Sequence, residues 1–240
     1  MLQSWDNRRD YAIPGDSKET VAWAADHWIH TAERAIQQRG RFAVALSGGS
    51  TPKAIYAALR KRKVAWDKVW LFWGDERNVS PDSQDSNYHM AMQELGAMPI
   101  PPGQIIRMKA EQGIENQAFE YEEKITHYLG KHLFDLVMLG VGEDGHTASL
   151  FPNTAALAIT DRLVVANYLP EKKTWRMTLT FSAIEKSAQA VIYALGSAKQ
   201  TIIPDVLNAP ILSPFPASRI GTAERKALWV MDLAASQKLL

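Results

Sequence analysis

Apolar and polar positions follow two different patterns along the chain. Between residues 17 and 38, apolar side chains recur every three or four positions, which predicts an amphipathic helix. Asp16 or Ser17 can cap the start of this helix, and Gly40 is placed to end it. Residues 42–46 are instead apolar without interruption, which is typical of a short strand that is covered on both faces.

Further segments of both kinds follow. The predicted strands are residues 69–73, 105–108, 134–139, 163–168, 175–180, 190–195 and 227–232, and the predicted helices are one with Pro52 at its first position, 87–95, 115–131 and 198–207. Strands that alternate with helices indicate an α/β fold, with a mainly parallel sheet and helices on both faces. The short link between residues 163–168 and 175–180 predicts an antiparallel hairpin in the C-terminal half. Without repeats or linkers, residues 1–240 are expected to form a single domain.

Composition excludes several classes of function. With 46% hydrophobic residues among 240, the chain can bury an ordinary core, and its net charge of +1 argues against nucleic acid as a partner. The absence of cysteine excludes disulfides, zinc–thiolate sites and cysteine nucleophiles. The N-terminus does not resemble a signal peptide, and no apolar run approaches the roughly 20 residues of a membrane span. We therefore expect a soluble, cytoplasmic protein with no membrane partner; the sequence leaves the oligomeric state open, with a monomer expected.

A glycine-rich turn follows the strand at residues 42–46. It consists of Ser47, Gly48, Gly49, Ser50 and Thr51. Glycines let the backbone approach a ligand closely, and the free amides of the following helix favour an anion, most naturally a phosphate. The spacing is not that of a Walker loop, so a nucleoside triphosphate is not expected. The alternative is an ordinary capped turn between a strand and a helix.

Three cations are candidates to complete this anion site. Arg77 and Lys199 each follow the C-terminal end of an apolar strand, beside which ligands bind in α/β sheets. Arg176, which opens the strand at 175–180, is a weaker candidate. Each of the three could equally be a solvated surface charge.

Residues 140–152 form a second glycine-rich loop, which contains His146. Its glycines match the G-x-G-x-x-G pattern of dinucleotide sites, but that reading requires an acidic residue at the end of the next strand. Asp161 has the right offset and yet precedes its strand. Glu143 and Asp144 would also place negative charge where a pyrophosphate lies. A dinucleotide site is therefore disfavoured.

His146 is best interpreted as a general acid or base. Either Glu143 or Asp144 could orient the imidazole and stabilise its protonated form. A structural histidine remains an alternative, whereas a metal site lacks ligand spacing, and Ser149 lacks the G-x-S-x-G elbow of serine hydrolases. Such chemistry needs no cofactor and suits hydrolysis or proton transfer on a small phosphorylated molecule.

At these motifs the chain resembles the 6-phosphogluconolactonase family, which is related to the glucosamine-6-phosphate isomerases (deaminases). The matching segments are residues 46–52, 73–77, 140–152, 176–180 and 196–199, in order along nearly the whole chain. The resemblance implies a Rossmann-like fold, no metal requirement, and hydrolysis of 6-phospho-D-glucono-1,5-lactone to 6-phosphogluconate in the oxidative pentose phosphate pathway. The expected partner is this sugar-phosphate lactone.

The resemblance also assigns roles to residues. It implies that His146 activates water, and that the glycine-rich turn at residues 47–51 binds phosphate and the substrate ring. Arg77, Lys199 and, more weakly, Arg176 join these contacts. Asp144 is the candidate second catalytic residue, although the sequence does not decide whether Asp144 or Glu143 orients the imidazole.

The isomerase branch differs in the histidine loop. There a glutamate works with the histidine in ring opening, and Phe151 stands at that position here. Asp75 matches the proton-abstracting aspartate of the isomerases, so this residue, a further candidate for substrate contact, does not separate the branches. Arg77 replaces their usual tyrosine. An isomerase and a non-catalytic sugar-phosphate-binding module remain the alternatives.

Overall fold

A mainly parallel sheet of seven strands lies at the centre of the protein, of which a computed structural model describes residues 2–239. Its strands are β1 (Gln3–Ser4), β2 (Arg9–Ala12), β3 (Phe42–Leu46), β4 (Val69–Trp73), β6 (Leu136–Gly140), β9 (Ala190–Ala194) and β10 (Ala227–Met231). Across the sheet they follow the order β1-β2-β10-β9-β6-β3-β4, and β1 and β2 are the antiparallel pair. The predicted α/β class with a mainly parallel sheet is confirmed.

Six α-helices pack around the sheets in the described part of the chain. They are α1 (Ser17–Arg39), α2 (Ser50–Leu59), α3 (Asn87–Leu95), α4 (Ile114–Leu129), α5 (Phe181–Glu185) and α6 (Ile202–Asn208). The start of α1 follows the sequence prediction, because the Asp16 carboxylate accepts from the Glu19 amide and the Glu19 carboxylate accepts from the Asp16 amide. Gly40 ends it with a φ of 73°. None of the helices in residues 2–239 has the length and apolar character needed to cross a membrane.

The core lies on both sides of the sheet. Every residue of β3 and of β9 is buried, as an uninterrupted apolar run predicts. Trp28 of α1 meets Phe42 of β3 edge to face, with ring centroids 4.9 Å apart. The strands are thereby fixed in a rigid layer from which the connecting loops extend.

A second, antiparallel sheet of three strands lies beside the first. It consists of β5 (Asp75–Arg77), β8 (Thr174–Leu179) and β7 (Val164–Leu169), with β8 in the middle. The β7–β8 pair is the antiparallel hairpin predicted from the sequence. Gly74 joins the two sheets: its amide donates to the Leu46 carbonyl and its carbonyl accepts from the Leu179 amide, both at 2.8 Å.

Two predicted elements were wrong in part. Residues 105–108 are not a strand, since Ile105 makes only one bridge to Leu71 on β4 before the chain leaves the sheet edge. The helix predicted at 198–207 is divided into a 3₁₀ turn at Ser197–Lys199 and α6. Pro204 explains the division, because its ring tolerates only the first turn of a helix.

The remaining differences are smaller. Helix α2 begins at Ser50, so Pro52 occupies its third position and not its first. The change is sterically neutral, since the first amides of a helix have no intrahelical acceptor and proline loses nothing there. The short strands β1, β2 and β5 and the five-residue α5 were not predicted, because their two to five residues are too few for a period to be recognised.

Two buried tyrosines bind the backbone where strands β3 and β4 end. The Tyr121 hydroxyl accepts from the Trp73 amide at 2.8 Å and donates to the Trp73 carbonyl at 3.1 Å. The Tyr56 hydroxyl does the same at Ser47, at 3.0 and 2.8 Å. Burial raises the pKa of both hydroxyl groups, so each stays protonated and can donate. These side chains satisfy backbone groups that the ladder leaves unpaired.

A buried carboxylate attaches α3 to the end of β5. Glu76 is 3% exposed, and its two oxygens accept from the amides of Arg77, Asn87 and Tyr88 and from the Ser86 hydroxyl, at 2.7 to 2.9 Å. Burial raises the pKa of Glu76, and these hydrogen bonds partly offset the effect. The carboxylate thereby fixes the position of the first residue of α3.

Removal of the Tyr121 hydroxyl should destabilise the fold. We expect Tyr121→Phe to lower the free energy of unfolding by about 1–3 kcal/mol, because a buried amide and carbonyl lose their partner. Urea denaturation measures the change. Tyr168→Phe is the matched control, since the Tyr168 side chain is 44% exposed. Equal stability of the two variants would contradict this role of Tyr121.

Candidate active site

A cavity of about 240 Å³ opens at the carboxyl ends of β3, β6 and β9. It is lined by Ser47, Gly48, Gly49, Ser50, Thr51, Pro52, Asp75, Arg77, Asn87, Gly140, Val141, Gly142, His146, Ala148, Tyr193 and Lys199. Two turns that are about ninety positions apart in sequence therefore face one space. Within residues 2–239, no group of three or more histidine, aspartate or glutamate side chains is placed to hold a metal ion.

The cradle loop, residues 47–51, forms one wall of this cavity. Gly49 adopts a φ of 103°, a conformation that side chains disfavour, and it directs the chain into α2. The amides at the start of α2 have no intrahelical acceptor. With the helix dipole they create a positive potential, to which the hydroxyls of Ser50 and Thr51 add donors. The loop is suited to hold a phosphate group.

The histidine loop, residues 140–152, contributes a second part of the lining. Asp144 Oδ1 lies 2.5 Å from His146 Nδ1 and also accepts from the His146 amide at 3.1 Å. Burial works to raise the pKa of Asp144, but these hydrogen bonds outweigh it, and the pKa is lowered overall. An ionised carboxylate only accepts, so the proton of the neutral imidazole lies on Nδ1 and the Nε2 lone pair is available to a ligand. Both carboxylates of this loop belong to exposed residues, and Asp144 is the one that contacts the ring.

The backbone of the histidine loop is shaped to accept the imidazole. A Cβ atom on Gly142 would lie 2.0 Å from His146 Nδ1, so only glycine leaves room for the ring. Ala148 has a φ of 48°, which is rare for a residue with a side chain. The next residue, Ser149, is held in place because its amide donates a hydrogen bond of 3.2 Å to the Thr178 hydroxyl. Such strain is maintained only where the surroundings enforce it, and it is common at functional sites.

Asp75 lines the cavity and belongs to a network of hydrogen bonds. Its Oδ2 accepts from the Ser149 hydroxyl at 2.7 Å, and its Oδ1 accepts from Asn87 Nδ2 at 3.3 Å. Burial raises the pKa of Asp75, while the Ser149 hydroxyl and nearby positive charges act in the opposite direction. The carboxyl group therefore connects the histidine loop to α3.

The structure separates the three candidate cations. Arg77 and Lys199 line the cavity, and Lys199 makes no ion pair within residues 2–239. Arg77 pairs with the exposed Asp85 at 3.2 Å. Arg176 lies opposite Arg77 on the paired strand β8 and is not among the described residues that line the cavity. Burial and the Arg77 charge lower the pKa of Arg176.

Two lining side chains were not singled out from the sequence. Asn87 begins α3. Its carboxamide oxygen lies so close to Gly48 that a Cβ atom on Gly48 would be only 1.9 Å from it. Tyr193 pairs with Gly140 at the end of β9. A polar hydroxyl at the end of a buried apolar run was the available signal for Tyr193. Asn87 follows a long polar loop, and its position depends on the distant Glu76.

The sequence is similar to known proteins along nearly its whole length. The family model of glucosamine-6-phosphate isomerases/6-phosphogluconolactonase matches residues 15–229. The 6-phosphogluconolactonase of Chlamydia muridarum is 44% identical over 223 residues, which are 92% of this chain and 86% of the relative. That of Nostoc sp. is 35% identical over 234 residues, 93% and 95% of the two chains.

A solved structure agrees with these sequence relatives. The 6-phosphogluconolactonase from Trypanosoma cruzi superposes with a TM-score of 0.86 at 25% identity, over 99% of this chain and 98% of the other. The resemblance recognised from the motifs is therefore confirmed. The chain belongs to the family of glucosamine-6-phosphate isomerases and 6-phosphogluconolactonases.

Proposed function

We propose that the protein hydrolyses 6-phospho-D-glucono-1,5-lactone to 6-phospho-D-gluconate, as a step of the oxidative pentose phosphate pathway, with His146 as general base. One observation carries the proposal: the cradle loop and His146, whose ring Asp144 contacts, line the same cavity. The cavity thus combines a base with an anion-binding turn. The names of the relatives, which are lactonases, support the same activity.

Substrate binding begins with the phosphate. Its negative charge is met by the amides at the start of α2, by the hydroxyls of Ser50 and Thr51, and by Lys199. Arg77 contributes a second positive charge at the rim. Because the phosphate is fixed, the lactone carbonyl is held near His146, and much of the positional entropy of the reaction is removed on binding.

The chemical step is the addition of water to the lactone carbonyl. His146 Nε2 takes a proton from water as the water oxygen bonds to C1, and Asp144 stabilises the imidazolium through Nδ1. The oxyanion that develops is stabilised by Arg77 or by loop amides. The C1–O5 bond then breaks, the imidazolium returns its proton to O5, and the ring opens to the free acid, so no proton or electron is left over.

Two assays distinguish lactone hydrolysis from the two alternative functions. The lactone is generated from glucose 6-phosphate by its dehydrogenase, and its loss is followed above the spontaneous rate. Ammonia release from glucosamine 6-phosphate tests the isomerase/deaminase activity, which Phe151 beside His146 disfavours. A binding module would bind 6-phosphogluconate and accelerate neither reaction. Lactone loss at the spontaneous rate would refute the proposal.

Removal of the imidazole should abolish most of the turnover. We expect His146→Ala to lower kcat by roughly 10²–10⁴-fold, the usual contribution of general acid–base catalysis, with 6-phosphogluconate still bound. Steady-state kinetics and calorimetry measure the two effects. His132→Ala, which alters an exposed histidine after α4, is the control. A kcat near that of the wild type would rule out the base.

The two carboxylates of the histidine loop should differ in effect. Asp144→Asn should lower kcat by about 10²-fold or more, because an amide can stabilise the wrong tautomer and cannot stabilise an imidazolium. Glu143→Gln is the matched control and should keep kcat within about twofold, since Glu143 does not contact the ring. The same loss in both variants would show that the electrostatics of the loop, and not the Asp144 hydrogen bond, matter.

The two lining cations should act on binding. Lys199→Ala and Arg77→Ala should each raise KM by roughly tenfold or more, since charged hydrogen bonds contribute about 1.5–3 kcal/mol. Direct titration with inorganic phosphate and 6-phosphogluconate checks that binding is affected. Lys131→Ala removes an exposed charge as the control. Unchanged affinity for both ligands would mean that the phosphate binds elsewhere.

A further inference from the structure

The Phe151 side chain lies flat against the imidazole of His146. The two ring centroids are 3.9 Å apart and the ring planes differ by 18°, so the rings are in van der Waals contact over a whole face. The Nδ1 edge of the imidazole is held by Asp144 and passes over Gly142, where a Cβ would lie 2.0 Å away. Three neighbours thus confine the imidazole, and Nε2 makes no hydrogen bond within residues 2–239.

A cation holds Phe151 in turn. The Lys172 ammonium, in the 3₁₀ turn Pro170–Lys172, lies 4.6 Å from the centroid of the Phe151 ring. Since the imidazole already covers one face of this ring, the ammonium meets the other face. Attraction between a cation and an aromatic face favours a fixed ring orientation.

Phe151 also separates His146 from a second cavity. This space of about 340 Å³ is lined by Asp144, Phe151, Pro152, Asn153, Thr154, Leu169, Pro170, Glu171 and Lys172. It has no lining residue in common with the first cavity, which His146 and the cradle loop line. Without the phenyl ring, the face of the imidazole would be open to this space, and the ring could turn into it.

We propose that Phe151 is a positioning residue, which keeps the His146 imidazole in the orientation that receives a proton from water, and that Lys172 holds Phe151 in this place. The inference rests on the proposed lactone hydrolysis and adds a residue to it. Phe151 does not itself line the cavity that contains the proposed phosphate contacts. A change at Phe151 therefore acts on kcat and leaves KM nearly unaltered. Because a loss of folded protein would also lower the apparent kcat at constant KM, kcat is compared per folded molecule, with the folded fraction measured by circular dichroism.

Substitutions that remove the stacked ring test the inference. Phe151→Leu should lower kcat by about tenfold, since small misplacement of a catalytic group has effects of this order, and should keep KM within about twofold. Phe151→Tyr keeps an aromatic face and should keep kcat near that of the wild type. Phe119→Leu is the matched control, because Phe119 is an exposed phenylalanine that carries the Arg162 guanidinium 3.6 Å from its ring centroid.

The cation is tested separately. Lys172→Met keeps the length of the side chain and removes the charge, and should lower kcat by about two- to fivefold, whereas Lys172→Arg should retain it. If Phe151→Leu does not fold, the kcat values of Lys172→Met, Lys172→Arg and Phe151→Tyr still test the inference. A kcat for Lys172→Met equal to that of the wild type would remove Lys172 from the inference.

A spectroscopic measurement does not depend on turnover. The stacked phenyl ring should shift the ring-proton resonances of His146 upfield, and Phe151→Leu should abolish this shift in NMR spectra. If wild-type protein shows the shift but does not accelerate lactone loss, the proposed function fails and the stacking stands. If wild-type protein is active and Phe151→Leu keeps a full kcat, the positioning role alone is overturned.

Discussion

The parallel alignment of β3, β6 and β9 is the constraint on which the site depends. Neighbouring parallel strands end at the same edge of the sheet, so the chain leaves all three towards one space. The pairing of Gly140 with Tyr193 sets where the histidine loop begins relative to β9. A shift of either strand by one residue would turn its side chains to the other face, where they would not fit the close-packed neighbours. The distance between the cradle loop and His146 is therefore fixed by the core.

A cavity at a sheet edge interrupts the backbone ladder, and buried side chains replace the missing partners. Tyr56 satisfies Ser47, and Tyr121 satisfies Trp73. Glu76 on β5 accepts four hydrogen bonds and thereby holds the start of α3 against this strand. None of these three side chains lines the cavity, yet each holds a segment that carries a lining residue. Buried polar networks of this kind give a single arrangement when every member is satisfied.

The sequence predicted what local patterns determine and missed what distant contacts determine. The ends of α1 were found because Asp16, Glu19 and Gly40 act on their own neighbours. The cradle loop and the histidine loop were found because each glycine-rich segment follows an apolar strand. Asn87 was missed because its place depends on the carboxylate of Glu76, eleven positions away. The second sheet was recognised only as a hairpin, since the three residues of β5 carry no periodic signal.

The contact between Phe151 and His146 also bears on why one fold serves two chemistries. A carboxylate in place of Phe151 would put a second negative charge beside an imidazole that Asp144 already contacts, and two such charges favour the protonated, acidic form of the ring. Ring opening of an amino sugar needs a proton donor, whereas attack of water on a lactone needs an acceptor. An apolar ring keeps the contact that orients the imidazole and adds no charge. Under the proposed mechanism, the side chain at this position would thus influence which proton transfer the loop performs.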